Sequence, residues 1–261
     1  MMRGLITALR TLTSIPVPGR DAVKMSSALS WFPAVGLLLG LTVCGMIRLQ
    51  WLAVGSSWPQ GAAVLTVIAG VFLTRGIHLD GLADWADGFW GSRDRERVLA
   101  IMKDSRIGSF GALAVVCVIL AKWVCLVRLI GMGSLEWIIA AYVFSRTMPV
   151  VLLVAEPYAR AGGGTAAPFA LGAGKTHLAT AMLLAVVLVL LVCGLHWILW
   201  PAMLAAAWCF TRCFGWWCRK RVGGITGDLL GACTEIVETM MLATGSFLAS
   251  GDAGQIMSAA G

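Results

Sequence analysis

GSFGALAVVCVILAKWVCLVRLI, residues 108–130, contains only two charged side chains, Lys122 and Arg128. A helix of about 20 apolar residues crosses the roughly 30 Å hydrocarbon core of a bilayer, so this stretch predicts a transmembrane helix. Six other runs have the same character, near 32–55, 61–78, 135–155, 178–199, 201–218 and 229–249. We therefore predict an all-α, polytopic integral membrane protein with about seven transmembrane helices.

The composition supports a lipid environment for most of the chain. Of the 261 residues, 59% are hydrophobic and only 13% are charged, whereas soluble domains carry about 25% charged residues. So few charges could not cover the surface of a soluble protein of this length. The lipid bilayer is therefore an expected partner, and we interpret residues 1–261 as one transmembrane domain.

The first residues predict a short interfacial helix rather than a signal peptide. Leu5, Ile6, Leu9 and Leu12 recur at helical spacing, and Arg10 interrupts the apolar stretch that a signal peptide requires. An amphipathic helix of this kind lies in the plane of the membrane interface.

Two other functional classes, nucleic-acid binding and zinc binding, are not supported. The net charge is +7, but the basic residues stand between apolar runs and not on one face, so no nucleic-acid partner is expected. Eight cysteines are present, yet none forms the CxxC pair typical of zinc sites. We expect these cysteines to serve as small apolar packing residues.

The positions of Lys and Arg predict the orientation in the membrane. With the N-terminus in the cytoplasm, fourteen of the 20 Lys and Arg residues fall in cytoplasmic segments and six within spans. Four segments on the opposite side contain none: 56–60, 131–134, 200–201 and the tail 250–261. Because cytoplasmic loops are enriched in Lys and Arg, we place the three larger polar loops on the cytoplasmic face: 79–107, 156–176 and 219–230.

The first of these loops carries the main candidate site. Asp80, Asp84 and Asp87 are spaced i, i+4 and i+7, which puts three carboxylates on one face of a helix. Three neighbouring anions repel each other unless a cation lies among them, and Mg²⁺ or Mn²⁺ prefers such oxygen ligands together with substrate phosphates. The spacing therefore predicts a divalent metal site. His78, just before this group, could contact the metal or a phosphate, or be a packed, hydrogen-bonded group.

Further charged side chains follow in the same loop and in the second loop. Asp104 could add a metal ligand, and Lys103 and Arg106 could bind phosphate. Arg160 and Lys175 stand in a Gly-rich setting that suits a mobile phosphate-binding loop, and a plain linker explains it equally well. GAGKT, residues 172–176, does not form a P-loop, because Phe169 stands where that motif requires glycine.

The last polar stretch contributes acids at the mouth of an apolar run and inside it. Asp228 precedes the run, and Glu235 and Glu238 lie within it. A buried carboxylate requires a partner, so we expect Glu235 to meet a cation, a metal or a polar substrate group, or to pair with Arg146 or Arg212.

Taken together, these stretches resemble the cobalamin synthase family, also called adenosylcobinamide-GDP ribazoletransferases. The stretches that carry the resemblance are HLDGLADWADGFWG (78–91), RERVLAIMKDSRIGSFGALA (95–114), PYAR (157–160) and GGITGDLLGACTE (223–235). TSIPVPGR (13–20) and WFPAVGLLLG (31–40) are similar to the family's opening. The chain departs from the family pattern at Arg75, where glycine is expected, and at Trp85, where a smaller residue is expected.

The resemblance implies a Mg²⁺-dependent phosphotransferase of late cobalamin (vitamin B12) biosynthesis, in the inner membrane of a prokaryote. Its substrates would be the corrinoid nucleotide adenosylcobinamide-GDP and α-ribazole or α-ribazole 5′-phosphate, with GMP released. The resemblance assigns the metal to Asp80, Asp84, Asp87 and Asp104. It leaves the general base open among Asp104, Asp87 and Asp228, and Asp228 is also a substrate-binding candidate. A homo-oligomer, or association with other enzymes of cobalamin assembly, is also expected.

Two other hypotheses compete with this one. CDP-alcohol phosphotransferases use spaced aspartates for related chemistry, and Asp84, Asp87 and Gly88 fit the opening of their motif, but its later glycine and aspartates do not follow. A cation-coupled transporter would also place acids in the membrane. Here the acids gather toward one face and no internal repeat is evident, which favours a site over a pathway.

Overall fold

The computed structural model describes residues 2–160, 162–194 and 199–249, and within these ranges it forms eleven α-helices, one 3-10 helix and no strand longer than a single bridge. The prediction of an all-α protein is confirmed. The helices are α1 (Met2–Leu12), a 3-10 helix (Met25–Trp31), α2 (Phe32–Val54), α3 (Pro59–Leu73), α4 (Ile77–Gly91), α5 (Arg95–Ile101), α6 (Ser109–Gly131), α7 (Glu136–Ala155), α8 (Ala167–Ala170), α9 (Lys175–Cys193), α10 (Leu199–Val222) and α11 (Gly227–Leu248).

Helix α7 is the centre of the molecule. Nearly all of its residues are buried, and it packs against α2, α9, α10 and α11. Gly36 and Gly40 of α2 allow the closest of these approaches, since a Cβ atom on Gly36 would lie 2.5 Å from the carbonyl oxygen of Tyr142. Small residues one turn apart bring membrane helices into direct backbone contact.

The predicted span near 61–78 is interrupted, and this break creates the helix that carries the acids. Arg75 and Gly76 both adopt the left-handed backbone conformation, at φ of 56° and 65°. The chain turns there by 88° between α3 and α4. Glycine adopts this conformation without strain, whereas it is uncommon for a residue with a side chain such as Arg75.

The number of helices suited to cross a membrane is lower than the seven predicted. Every predicted segment contains a helix, but only four are long and apolar enough among the described residues, or five if the bent pair α3–α4 counts as one span. Helices α10 and α11 are long enough. They carry more polar residues, including Arg212 in α10 and Glu235 and Glu238 in α11.

The predicted N-terminal helix is present as α1, with Leu5, Ile6 and Leu9 half buried. All eight cysteines are free thiols, five of them buried, as expected for packing residues. The tail 250–261, which the charge pattern placed on the outer side, lies outside the described residues.

Candidate active site

Carboxylates from two helices converge around Asp84. The carboxylates of Asp228, Asp80 and Asp87 repel that of Asp84, and Arg160 is the cation that offsets them. Asp84 is half buried and Asp80 is exposed. The structure therefore brings the acidic motif of α4 together with Asp228 at the start of α11 and with Arg160 of the second polar loop. We call Asp80, Asp84, Asp228 and Arg160 the acidic site.

Two glycines let α4 and α11 approach closely enough to form this site. A Cβ atom on Gly81 would lie 2.6 Å from the carbonyl oxygen of Asp228, and one on Gly231 would lie 3.1 Å from that of Ile77. A Cβ atom does not fit at the distance found at Gly81 and would be crowded at Gly231, so a larger side chain at Gly81 would push the helices apart. The glycines of the HLDG and LLGA stretches thus set the distance between the acids.

Arg160 is held beside Asp228 by its neighbours on the second loop. Its guanidinium donates to the Asp228 carboxylate over 2.8 Å. A short backbone pairing aligns the two segments, with the Ala159 amide donating to the Ile225 carbonyl and the Ile225 amide to the Pro157 carbonyl. This pairing requires Gly224, because a Cβ atom there would lie 2.1 Å from the Pro157 oxygen.

Asp87 lies on the same helix but has a different environment. Its two carboxylate oxygens accept hydrogen bonds from the amides of Gly108 and Gly111, over 2.7 and 2.8 Å. These amides belong to the start of α6, where the first N–H groups have no partner within the helix. Asp87 therefore caps α6, and its roles as metal ligand and base stay predictions.

The second charged cluster forms an exposed ion pair. The Arg106 guanidinium donates to the Asp104 carboxylate over 2.6 Å, and this hydrogen bond lowers the pKa of Asp104 to about 2. Lys103 beside it is exposed. Asp104 is therefore already paired with a cation, and its predicted roles as ligand and base remain untested.

Two other predicted substrate contacts, His78 and Lys175, have different surroundings: one is buried and the other is exposed at the start of a helix. His78 is buried where α4 meets Gly231 of α11. Lys175 is the exposed first residue of α9. In the second loop, burial raises the pKa of Tyr158, whose ring lies near Gly164. The substrate roles of His78 and Lys175 stay predictions.

A buried ionic cluster joins α6, α7 and α11. The Lys122 ammonium donates to Glu235 over 2.5 Å and to Glu238 over 2.6 Å, and Arg146 also donates to Glu238. The predicted pairing with Arg146 holds for Glu238 rather than for Glu235, and Arg212 pairs with Glu156. Glu235 meets a cation, as expected. That cation is Lys122, which the sequence analysis did not name, although a lone lysine within an apolar run was the available signal. The role of Glu235 in substrate binding stays a prediction.

The donor chemistry of the acidic site fits a divalent cation held partly by substrate. Among the described residues, no group of three or more His, Cys, Asp or Glu side chains is close enough to form a metal cage by itself. Mg²⁺ commonly uses one or two carboxylates and completes its shell with water and substrate phosphates. Asp80 and Asp84, with one offsetting cation nearby, provide such a partial set.

The fold and this site define an all-α membrane protein with an acidic site of the kind used in phosphate-group transfer. Residues 4–246 match the family model for cobalamin-5-phosphate synthase, and the chain belongs to that family. It is therefore an enzyme of cobalamin biosynthesis, as the motifs predict. This membership decides against the lipid phosphotransferase and transporter hypotheses.

Several relatives carry the name adenosylcobinamide-GDP ribazoletransferase. The protein of Chlorobaculum parvum is 49% identical over 91% of this chain and 92% of its own length. That of Chlorobium phaeobacteroides is 47% identical over 95% and 99%, and that of Syntrophobacter fumaroxidans 40% over 90% and 95%. No solved structure matches the chain.

Proposed function

We propose that this chain transfers the phospho-cobinamide group of adenosylcobinamide-GDP to α-ribazole or α-ribazole 5′-phosphate, giving adenosylcobalamin or its 5′-phosphate and GMP. The observation that carries the proposal is the convergence of Asp80, Asp84 and Asp228 with Arg160 in a member of the cobalamin-5-phosphate synthase family. The names of its relatives supply the substrates.

In this reaction a ribose hydroxyl attacks the phosphorus that bears the aminopropanol arm, and the bond from that phosphorus to GMP breaks. The hydroxyl proton passes to a carboxylate acting as general base. Of the three candidates for that base, Asp228 has the most favourable surroundings, because it lies among the acids and is oriented by Arg160 and Thr226. Asp87 caps a helix, and the hydrogen bond from Arg106 lowers the pKa of Asp104 to about 2, which makes Asp104 a weak base.

We propose that Asp80 and Asp84 hold Mg²⁺, or Mn²⁺ in its place, with the substrate diphosphate. When bound, the metal neutralises charge on the diphosphate and on the leaving GMP. Arg160 is positioned to add a second positive charge, because its guanidinium already binds a carboxylate at this site. His78, Lys103, Arg106, Lys175 and Glu235 remain proposed substrate contacts.

We also propose that the site faces the cytoplasm from a prokaryotic inner membrane. Support comes from the distribution of Lys and Arg. The proposed substrates also support this orientation, because they are water-soluble and are expected to reach the site from the cytoplasm. Association with itself or with other enzymes of cobalamin assembly stays a prediction.

One assay tests the activity and the metal together. The protein, purified in detergent or lipid, is mixed with adenosylcobinamide-GDP, α-ribazole phosphate and Mg²⁺, and cobalamin phosphate and GMP are measured by mass spectrometry. We expect both products in equal amounts with the wild type and none in excess EDTA. Turnover of CDP-activated donors instead would overturn the proposed reaction.

The metal-binding role of Asp84 is tested by Asp84→Asn. The substitution preserves the size of the side chain but removes its charge, so we expect turnover to fall by at least a hundredfold while the amount of membrane-inserted protein is unchanged. Asp94→Asn is the matched control, because Asp94 is exposed and caps α5. Equal activity of Asp84→Asn and the wild type would refute the role.

A further inference from the structure

A groove separate from the acidic site lies between the N-terminal segment and α9. Its volume is about 710 Å³, within the roughly 300–1,000 Å³ of pockets that hold small molecules. One end is lined by polar side chains, namely Arg3, Ser27, His177 and Thr180, and the other by Leu183 and Val187. The groove therefore has the polarity of an amphiphile.

The length of the groove along α9 corresponds to one leaflet of a bilayer. Helix α9 is one of the four helices suited to cross a membrane. Val187 follows His177 by ten residues, or about 15 Å at the helical rise. This is half of the roughly 30 Å hydrocarbon thickness. The polar end thus lies at headgroup depth when the apolar end reaches the bilayer centre.

The apolar end is open to the surroundings and not filled by the protein. Leu183 is 66% exposed and Val187 is 40% exposed, although both lie on a membrane-crossing helix. Trp31, which also lines the groove, has the amphipathic ring that favours the interface between headgroups and acyl chains. A hydrocarbon chain is the group that matches this surface.

The polar end favours an anion. Arg3 is the one residue with a formal charge among the described residues that line the groove, and no Asp or Glu is among them. The Nδ1 atom of His177 is buried there without a hydrogen-bond partner in the described part of the chain. The hydroxyl groups of Ser27 and Thr180 donate to the backbone carbonyls of Lys24 and Thr176, so they make this end polar without adding charge.

We propose that this groove binds one anionic phospholipid from the leaflet on the side of the N-terminus. Its phosphate contacts Arg3, and an acyl chain follows Leu183 and Val187. Such a lipid connects α1 to α9. Both helices contact the 3-10 helix. Helix α1 packs on it so closely that a Cβ atom on Gly4 would lie 2.7 Å from the backbone carbonyl oxygen of Ser27.

Native mass spectrometry of the delipidated full-length protein, titrated with phosphatidylglycerol or phosphatidylcholine, tests this proposal. We expect one tightly bound phosphatidylglycerol per chain and weaker binding of phosphatidylcholine. Arg3→Gln should weaken binding of phosphatidylglycerol about fivefold, the effect of one cation near an anionic bilayer surface. Val187→Trp should weaken both lipids, because the indole fills the apolar end.

Arg20→Gln is the matched control, since Arg20 is an exposed cation of the same segment outside the groove and should bind lipid like the wild type. Arg3→Lys keeps the charge and should restore binding if Arg3→Gln lowers it. Equal affinity for the two lipids, or unchanged affinity in both Arg3→Gln and Val187→Trp, would overturn the proposal.

Discussion

At the scale of single residues, the three aspartates of α4 share one helical face but differ in environment. Asp80 is exposed, Asp84 is half buried among other acids, and Asp87 binds two backbone amides. Anionic side chains are favoured at the N-terminus of a helix by its unpaired N–H groups and its dipole. Asp87 therefore has a structural role that the regular spacing does not reveal.

The capping role of Asp87 predicts a loss of stability. Asp87→Ala leaves the amides of Gly108 and Gly111 without their acceptor, so the free energy of unfolding should fall by about 0.5–2 kcal/mol, the range for loss of a helix cap. Asp87→Asn keeps one acceptor oxygen and should fall between the alanine variant and the wild type. Thermal unfolding in detergent measures both.

The same pair of variants separates capping from catalysis. If Asp87 only caps α6, Asp87→Asn should keep a large part of the wild-type turnover. If turnover is lost in Asp87→Asn while its unfolding temperature stays near that of the wild type, Asp87 also acts as a ligand or base.

At the scale of helices, the acidic site depends on how closely α4 and α11 pack. Gly81→Ala places a methyl group against the backbone of Asp228, where a Cβ atom would lie 2.6 Å from the carbonyl oxygen. We expect the overpacking to cost about 1–3 kcal/mol and to lower turnover, because Asp228 moves away from Asp84. Unfolding temperature and product formation are the two measurements.

Gly45→Ala provides the control for that prediction. Gly45 lies in α2, and a Cβ atom there would have no atom within 4 Å. Alanine is favoured over glycine in a helix by about 1 kcal/mol, so this variant should be as stable as the wild type or more stable. A Gly81→Ala variant that behaved like Gly45→Ala would contradict the close packing.

The buried ionic cluster predicts strong coupling between α6 and α11. Lys122→Met leaves Glu235 and Glu238 with Arg146 as their only cation in the cluster and should cost about 3–5 kcal/mol, the range for a broken buried pair. Removing both partners, as Lys122→Met with Glu235→Leu, should cost less than the sum of the two single variants. Additive losses in chemical unfolding would show that the two side chains do not interact.

At the scale of the whole molecule, the charge pattern predicts which polar segments share a face. Cysteines introduced at Glu96 and at Ser134 should react with a membrane-impermeant maleimide from opposite sides, with Glu96→Cys labelled from the cytoplasm. The wild-type chain is the blank, and any labelling of its exposed Cys117, Cys209 and Cys213 is subtracted. Labelling of both positions from one side would contradict the predicted orientation.

The sequence alone established the helical class, the membrane setting, the family and the acidic motif, because apolar run length, charge bias and i, i+4 spacing are local properties. It predicted more spans than the four or five helices that are long and apolar enough. Helices α10 and α11 carry too many polar residues, and run length does not show that the chain turns at Arg75 and Gly76. It identifies Asp228 and Arg160 as separate candidate site residues, but it does not show that they pair, because they are 68 residues apart in the chain.

Only the tertiary structure decided which groups meet. Asp228 joins Asp84 because glycines let α4 and α11 touch, and Lys122 meets Glu235 across 113 residues of chain. The carboxylate of Asp87 binds the start of α6, because its two oxygens accept hydrogen bonds from amides more than 20 residues later in the chain. The physical reason is that each of these contacts depends on the packing of distant helices, which local spacing does not encode.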